Sequence, residues 1–136
     1  DDRVSRGLGD VYKRQDIKMV CKSIQDKVAD GFGMKITRVG GLSNMIAIRD
    51  ICRDFQRPMT CEDSWGGDII AAACVHMGAT IMPNLLEGVW IPDNYVDGNY
   101  DEENPIKAGG QIKVPLGPGL GIKPDTTKWI HLTAFD

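Results

Sequence analysis

The stretch TCEDSWGGDIIAAAC, residues 60–74, decides the fold of this chain. It starts with a short β-type segment, passes through the adjacent acids Glu62 and Asp63, and ends in a run of small and apolar residues. A surface loop does not need that much apolar bulk beside it, and a core segment rarely contains two unpaired charges. The pattern therefore predicts a strand that ends at an acidic site and is followed at once by a buried helix.

Helices and short strands alternate on the N-terminal side of this stretch. Asp16 is placed to cap a helix, whose apolar stripe consists of Ile17, Val20, Ile24 and Val28. The run DGFGMKIT, residues 30–37, predicts a strand that ends near Lys35, and Gly40 and Gly41 predict a turn. A second helix is expected from Leu42 to Phe55, with a buried face formed by Met45, Ile48, Cys52 and Phe55.

The alternation continues on the C-terminal side. RPMTCED, residues 57–63, predicts a strand, and a helix is expected over residues 68–77, with Asp68 as its N-cap. This helix is apolar all round and should be buried, so His76 is expected to be a hydrogen-bonded core histidine. A further strand leads toward Trp90.

Three polar or aromatic residues occupy equivalent positions in successive strand–helix units. Lys35, Glu62 and Trp90 each fall at or near the C-terminal end of a predicted strand, at intervals of 27 and 28 residues. Alternating strands and helices imply parallel βα units, and ligands bind at the C-terminal edge of such sheets. The sequence thus predicts that these residues share one ligand-binding edge.

Composition narrows the classes of function. A chain of 136 residues is one domain at most, and a net charge of −3 argues against a nucleic-acid surface. We expect no membrane span or signal peptide, because there is no long apolar run and no N-terminal apolar region. The four cysteines form no CxxC pair and only two histidines are present, which disfavours zinc and indicates reduced thiols in a cytoplasmic protein.

The two ends of the chain differ from its regular middle. Residues 1–15 show neither a helical stripe nor alternation, and SRGLGDVYKRQ is similar to a translated sequencing adaptor; the alternative is a genuine basic, mobile segment. Near the other end, GGQIKVPLGPGLGIKPD, residues 109–125, predicts a strand and a Pro/Gly turn. Its glycines do not indicate a phosphate loop, because no Gly-Lys-Ser/Thr is present and no helix follows.

Three stretches together resemble one family: GMKITRVGGL at 33–42, MTCEDSWGGDIIAAACVHMGAT at 59–80 and VPLGPGLGIKPD at 114–125. They resemble the C-terminal part of the mandelate racemase and muconate lactonizing enzyme branch of the enolase superfamily, over about residues 16–125. Within that branch, the stretch from Glu62 to Asp68 is most similar to enzymes that act on proline derivatives, namely cis-3-hydroxyproline dehydratases and 4-hydroxyproline betaine epimerases.

The resemblance implies an α/β fold, the C-terminal part of a (β/α) barrel with about three βα units and a closing segment. Residues 1–15 would be a non-native or disordered leader, residues 16–92 the sixth to eighth barrel strands, and residues 93–136 a loop and C-terminal closing segment. The rival fold is an open doubly wound sheet. It predicts a glycine-rich nucleotide turn after a strand, which the sequence lacks.

The resemblance also implies the chemistry, which begins with removal of the proton α to a carboxylate. Lys35 matches the sixth-strand lysine that acts as acid and base in this family, whereas the alternative reading is an exposed lysine at a strand end. Mg²⁺ would be held by carboxylates on strands upstream of this chain. A second lysine upstream, on the opposite face of the substrate, would permit epimerisation, and a single base with a β-hydroxyl leaving group would permit dehydration.

An acid next to an indole suits a substrate that carries an ammonium group. Asp63 or Glu62 would supply the charge, and Trp90 or Trp65 the aromatic ring. The alternatives are helix capping for Asp63 and ordinary core packing for Trp90.

We therefore expect a fragment of a Mg²⁺-dependent enzyme that acts on a small amino-acid-like carboxylate of the proline type, by dehydration or epimerisation. The alternatives are another racemase or cycloisomerase of the same branch, acting on a dipeptide or a sugar acid, and a non-catalytic domain. The intact protein is expected to be a homo-oligomer.

Overall fold

The computed structural model of this chain describes residues 16–62, 66–91, 98–101, 107–108 and 110–129. In chain order the elements are α1 Ile17–Gln25, β1 Phe32–Lys35, α2 Ile36–Val39, α3 Leu42–Asp54, β2 Met59–Glu62, α4 Gly67–Gly78 and β3 Leu86–Trp90. They are followed by β4 Lys107–Ala108, β5 Gln111–Ile112 and a 3-10 turn, Thr126–Lys128. The leader, residues 1–15, lies outside the described residues.

The first three strands form a parallel sheet in the order β1-β2-β3. Each strand is linked to the next by a helical connection, α2 with α3 between β1 and β2, and α4 between β2 and β3. The parallel βα units predicted from the sequence are therefore confirmed. Strands β4 and β5 form a separate antiparallel pair near the C-terminus.

The core lies between one face of this sheet and the helices. Along β2, residues are alternately buried and half-buried, so that Met59 and Cys61 face the helices. Their neighbours on β1, Phe32 and Met34, are buried on the same side. The helices contribute apolar side chains that are almost fully buried, including Val20, Met45, Ile48, Cys52 and Cys74.

Three residues of the predicted apolar faces are not in the core. One is Ile17, the first residue of α1, which is 37% exposed. Val28 is 55% exposed and Phe55 is 59% exposed. Helix α1 ends at Gln25 and helix α3 at Asp54, and the left-handed residues Lys27 and Gln56 then turn the chain away. A helical period places a side chain correctly only while the helix continues, and Val28 and Phe55 lie just beyond their helix ends.

The two predicted N-caps have different outcomes. Asp16 caps α1 as predicted, because its Oδ1 accepts a hydrogen bond from the Met19 N–H at 2.7 Å. The prediction for Asp68 is wrong. Gly66 occupies the N-cap position of α4, and Asp68 lies in the first turn with its carboxylate directed at the C-terminal segment.

Helix α4 packs unusually close to the sheet because its residues are small. A Cβ at Gly78 would lie 2.4 Å from Cγ2 of Val89 on β3, which is less than any real contact allows. At the other end of the helix, Gly67 has φ +54°, and a Cβ there would lie 2.7 Å from the ring of Tyr100. Both positions therefore require glycine.

The C-terminal segment is held on α4 by exposed and half-buried polar contacts. Oδ2 of Asp68 accepts from the backbone N–H of Tyr100 at 2.5 Å and of Asp101 at 3.3 Å. Asp101, which is buried, in turn accepts from the Lys123 N–H at 2.8 Å. Nε2 of His76 donates to the Leu120 carbonyl oxygen at 3.1 Å, so the predicted hydrogen bond is confirmed, but His76 is half-buried and not a core residue.

The described helices are short compared with the thickness of a bilayer. None of them is both long enough and apolar enough to cross a membrane.

Candidate functional site

The three residues that the sequence predicts at the C-terminal ends of strands are neighbours in the sheet. Lys35 on β1 is in register with Glu62 on β2, and Glu62 is in register with Trp90 on β3. Adjacent strands lie about 4.8 Å apart, and residues in register project to the same side of a sheet. We call Lys35, Glu62 and Trp90 the site row.

The site row lies on the face of the sheet opposite the helices. Cys61, the residue before Glu62, faces the core, where burial raises the pKa of its thiol from an ordinary value of 9.0 to about 12. Successive strand residues point to opposite faces, so Glu62 points away from the helices. The same alternation places Lys35 opposite Met34 and Trp90 opposite Val89, both of which pack in the core.

Glu62 is held in an unusual environment for a carboxylate. It is half-buried, and its Oε1 is buried without a hydrogen-bond partner among the residues that the structure describes. A carboxylate oxygen removed from water without a donor is costly, and bound cations or N–H donors relieve that cost. Glu62 is thus suited to receive a positively charged group.

Trp90 does not pack in the core of the described residues, since it is 64% exposed. Its indole Nε1 lies above Gly88, because a Cβ built at that glycine would be 3.8 Å from this nitrogen. The ring therefore borders the face on which Lys35 and Glu62 stand, and core packing is not its role here.

Asp63 and Trp65, the other acid and the other ring named from the sequence, lie outside the described residues. Their predicted contribution to substrate binding stays a prediction. Among the candidates that the structure describes, Lys35, Glu62 and Trp90 are brought together.

Sequence reasoning missed the layer below the site row. Gly33, Thr60 and Gly88 are in register with one another, two residues before Lys35, Glu62 and Trp90 on the same strands. We call these three the floor row. Gly33 is buried, and the indole Nε1 of Trp90 lies over Gly88. This row could have been predicted from the sequence, because each of its residues lies two positions before a site-row residue, and residues two apart in a strand share a face.

Sequence reasoning also missed the pair Asp68 and Asp101, which fastens the C-terminal segment beside the N-terminal end of α4. No local pattern marks this contact, because the partners are about thirty residues apart in sequence. Next to it lies an open cleft of about 560 Å³, lined by Gly66, Ile69, Ile70, Tyr100 and Trp129. The rings of Tyr100 and Trp129 meet edge to face at 6.0 Å.

The described residues do not form a magnesium site. Mg²⁺ requires several oxygen ligands in octahedral geometry, and Glu62 is the only carboxylate of the site row, beside a lysine. Elsewhere in the described part of the chain, no group of three or more His, Cys, Asp or Glu residues is placed to hold a metal ion.

Comparisons with known proteins agree with this geometry. A model of the family described as enolase C-terminal domain-like matches residues 11–128. A cis-3-hydroxy-L-proline dehydratase of Roseibium aggregatum is 33% identical over 103 residues, which are 76% of this chain and 28% of that protein.

Solved structures show the same relationship. A mandelate racemase/muconate lactonizing enzyme from Roseovarius nubinhibens ISM superposes with a TM-score of 0.76 at 30% identity, covering 88% of this chain and 32% of that one. A second enzyme of that kind from the same organism, complexed with magnesium, has a TM-score of 0.76 at 25% identity, covering 85% of this chain and 32% of that one.

The chain belongs to the enolase C-terminal domain-like family, in the mandelate racemase and muconate lactonizing enzyme branch of the enolase superfamily. The three-stranded parallel sheet with its helices is accordingly part of a (β/α) barrel, as the sequence predicted. Its homologues and structural neighbours are enzymes, and the chain spans about 28% of the dehydratase that it matches.

Proposed function

We propose that the intact protein containing this chain removes the proton α to the carboxylate of a proline-type amino acid, leading to dehydration or epimerisation. The observation that carries this proposal is the site row, which places a lysine, a carboxylate and an indole side by side at the C-terminal edge of parallel strands. That edge is the ligand-binding edge of (β/α) barrels. The similarity to a cis-3-hydroxy-L-proline dehydratase supports the same substrate class.

In this proposal Lys35 is the catalytic acid and base. Its Nζ takes the α-proton as the Cα–H bond breaks, and the electron pair moves into the carboxylate to form an enediolate. Return of a proton at the opposite face gives epimerisation. Alternatively the electron pair expels a β-hydroxyl group, which leaves as water once it is protonated, and this gives dehydration.

Glu62 and Trp90 bind the substrate cation. The carboxylate of Glu62 offers charge and a buried acceptor oxygen, and the exposed indole of Trp90 offers a π face to the same cation. Asp63, which follows Glu62 directly in sequence, is proposed as a second carboxylate of this subsite. Such a site favours an amino acid over a sugar acid, because a sugar acid has no cation for Glu62.

Mg²⁺ is part of the proposal as a cofactor held by carboxylates outside this chain. The magnesium complex of a structural neighbour supports its presence in the intact protein. Such an ion stabilises the negative oxygens of a carboxylate whose α-proton is removed.

The experiment is exchange of the α-proton with solvent deuterium, followed by NMR, in the intact protein supplied with Mg²⁺. Proline-type amino acids should exchange and neutral carboxylates of equal size should not. Lys35→Met should stop exchange or restrict it to one enantiomer. The exposed Lys18 on α1 provides the matched control, since Lys18→Met should exchange at the wild-type rate. Faster exchange with a sugar acid or a dipeptide would mean that the protein catalyses another reaction of the same branch. No exchange with any carboxylate would favour a non-catalytic domain.

A further inference from the structure

Each of the three loops that lead from a helix into a strand of the parallel sheet exposes one large apolar side chain. We call them the first, middle and third loop, and they span residues 26–31, 55–58 and 79–85. Val28 in the first loop is 55% exposed, Phe55 in the middle loop 59%, and Met82 in the third loop 45%. Each of these residues follows the previous one by 27 residues, so the repeat of the βα units brings an apolar side chain to every loop. We call Val28, Phe55 and Met82 the loop patch.

The three loops contact one another in succession. A Cβ at Gly31 of the first loop would lie 3.0 Å from the carbonyl oxygen of Pro58 in the middle loop. The N–H of Met59, directly after the middle loop, donates to the carbonyl oxygen of Leu85 in the third loop at 2.7 Å. The loops therefore form one continuous surface at the N-terminal edge of the sheet. The site row ends the same strands and lies at the opposite edge.

Phe55 is the most exposed residue of the loop patch, although its loop lies between the other two. The middle loop leads into β2, the central strand of the sheet, and so has a described neighbour on each side. The exposure of its ring does not come from a missing neighbouring loop. Scattered apolar residues on a surface need no explanation, but three on adjoining loops form a patch, and aromatic residues and methionine are enriched in protein–protein interfaces.

The charges beside the loop patch occur as exposed pairs of opposite sign. Lys22 binds Asp26 at 2.8 Å at the end of α1, and Arg53 binds Asp54 at 3.1 Å at the end of α3. A rim with balanced charge does not favour a strongly acidic or strongly basic partner. It is complementary to itself, because an acid of one copy can meet a base of the other across a two-fold axis. The partner that fits this surface is therefore a second copy of the same protein.

We propose that the loop patch is the core of an interface between two copies of the intact protein, which pack through the N-terminal edges of their sheets. The site rows lie at the opposite edges, so this contact does not cover them. A specific interface buries about 800 Å² on each partner, so parts of the intact protein outside this chain would complete the rim. The inference does not depend on the proposed reaction, because it uses none of the residues assigned to it.

The test is the mass of the intact protein in solution, measured by sedimentation velocity over a dilution series. The wild type should form an oligomer. Phe55→Glu and Met82→Glu should each raise the concentration at which it dissociates by at least about tenfold, because each variant buries a charge without a partner in the contact. Circular dichroism of each variant checks that the fold is retained.

Leu116→Glu is the matched control. Leu116 is 92% exposed, and it lies in the C-terminal segment instead of in the three loops. The same change of an exposed apolar residue to an acid should here alter the dissociation concentration by no more than about twofold, as is usual for a surface substitution away from a contact. An equal effect of all three variants would overturn the assignment of the interface to the loop patch.

Photo-crosslinking identifies what covers the patch. A benzophenone amino acid in place of Phe55 should, on irradiation, join two copies of the protein, and peptide mapping should place the link in the corresponding loops of the second copy. A wild type that stays monomeric at all concentrations, an unchanged dissociation concentration in Phe55→Glu, or crosslinks confined to a single copy would each overturn the inference.

Discussion

Lys35 and Glu62 are register partners on adjacent parallel strands, so a lysine and a carboxylate stand side by side on the face of the sheet that the helices leave uncovered. In a substrate with an α-amino group, the acidic proton and the cationic nitrogen are bonded to the same carbon. One residue can therefore address the proton while its neighbour addresses the nitrogen. This spacing is what the proposed site requires of the two residues.

Replacing Lys35 by Met should abolish turnover of proline-type substrates in the intact protein, because the group proposed to accept the α-proton is lost. Met keeps the length and apolar stem of the side chain, so the fold should be retained. Steady-state kinetics and circular dichroism measure the two properties. Near-normal turnover in this variant would remove Lys35 from the catalytic role.

Removing the ring in Trp90→Leu should weaken binding of a cationic ligand by about 0.5–2 kcal/mol, the range of a cation–π contact. That is a few-fold to roughly thirtyfold in affinity. Neutral carboxylates of equal size should lose much less. Calorimetry with a charged and a neutral analogue makes the comparison, and equal losses for both would mean that the indole only shapes the rim.

Asp63→Asn preserves shape and capping ability but deletes a charge, so it tests the acid that follows Glu62 in sequence. If Asp63 assists in cation binding, proline-type ligands should bind several-fold more weakly, whereas neutral carboxylates should be unaffected. The same calorimetric series measures this. A loss in thermal stability without a change in ligand preference would assign Asp63 to helix capping.

Gly78→Val should destabilise the protein by about 1–3 kcal/mol, the usual cost of overpacking. The new side chain would be forced against Val89, where even a Cβ would be 2.4 Å from Cγ2. Gly88→Ala is the control, because its Cβ would meet Trp90 Nε1 at an ordinary 3.8 Å. Thermal melts compare the two variants, and equal melting temperatures would contradict the close packing of α4 on β3.

Burial raises the pKa values of the Cys52 and Cys61 thiols from 9.0 to about 12. Both thiols should therefore resist alkylation at pH 8 in the native protein and react once it is unfolded, whereas Cys21, which is half-buried, should react first. Peptide mapping after alkylation identifies each site. Rapid native labelling of Cys61 would mean that the core face of β2 is open.

The same shifts predict how the free energy of unfolding depends on pH. A thiol with a raised pKa keeps its proton in the folded state while the unfolded chain loses it. The stabilisation from Cys52 and Cys61 is therefore complete below about pH 9 and falls between pH 9 and about pH 12. Urea unfolding across this range should show the decline, and replacing Cys61 by Ala should reduce its slope.

The sequence by itself determined the order of strands and helices, most of the core and the phase of the site row. These are local properties, because the alternation of a strand, the stripe of a helix and the 27- to 28-residue repeat of βα units are all encoded by neighbouring residues. The sequence failed at Val28 and Phe55, where the helices end earlier than the apolar period suggests.

Only the tertiary structure decided the contacts between distant segments. It showed that Gly33, Thr60 and Gly88 form one floor, that Glu62 has a buried oxygen, and that Asp68 binds the backbone at Tyr100 and Asp101 instead of capping α4. An N-cap uses a donor two or three residues away, but the donors at Tyr100 and Asp101 come from a segment that reaches α4 only after the chain has folded. The spacing of residues along the sequence therefore does not predict this contact.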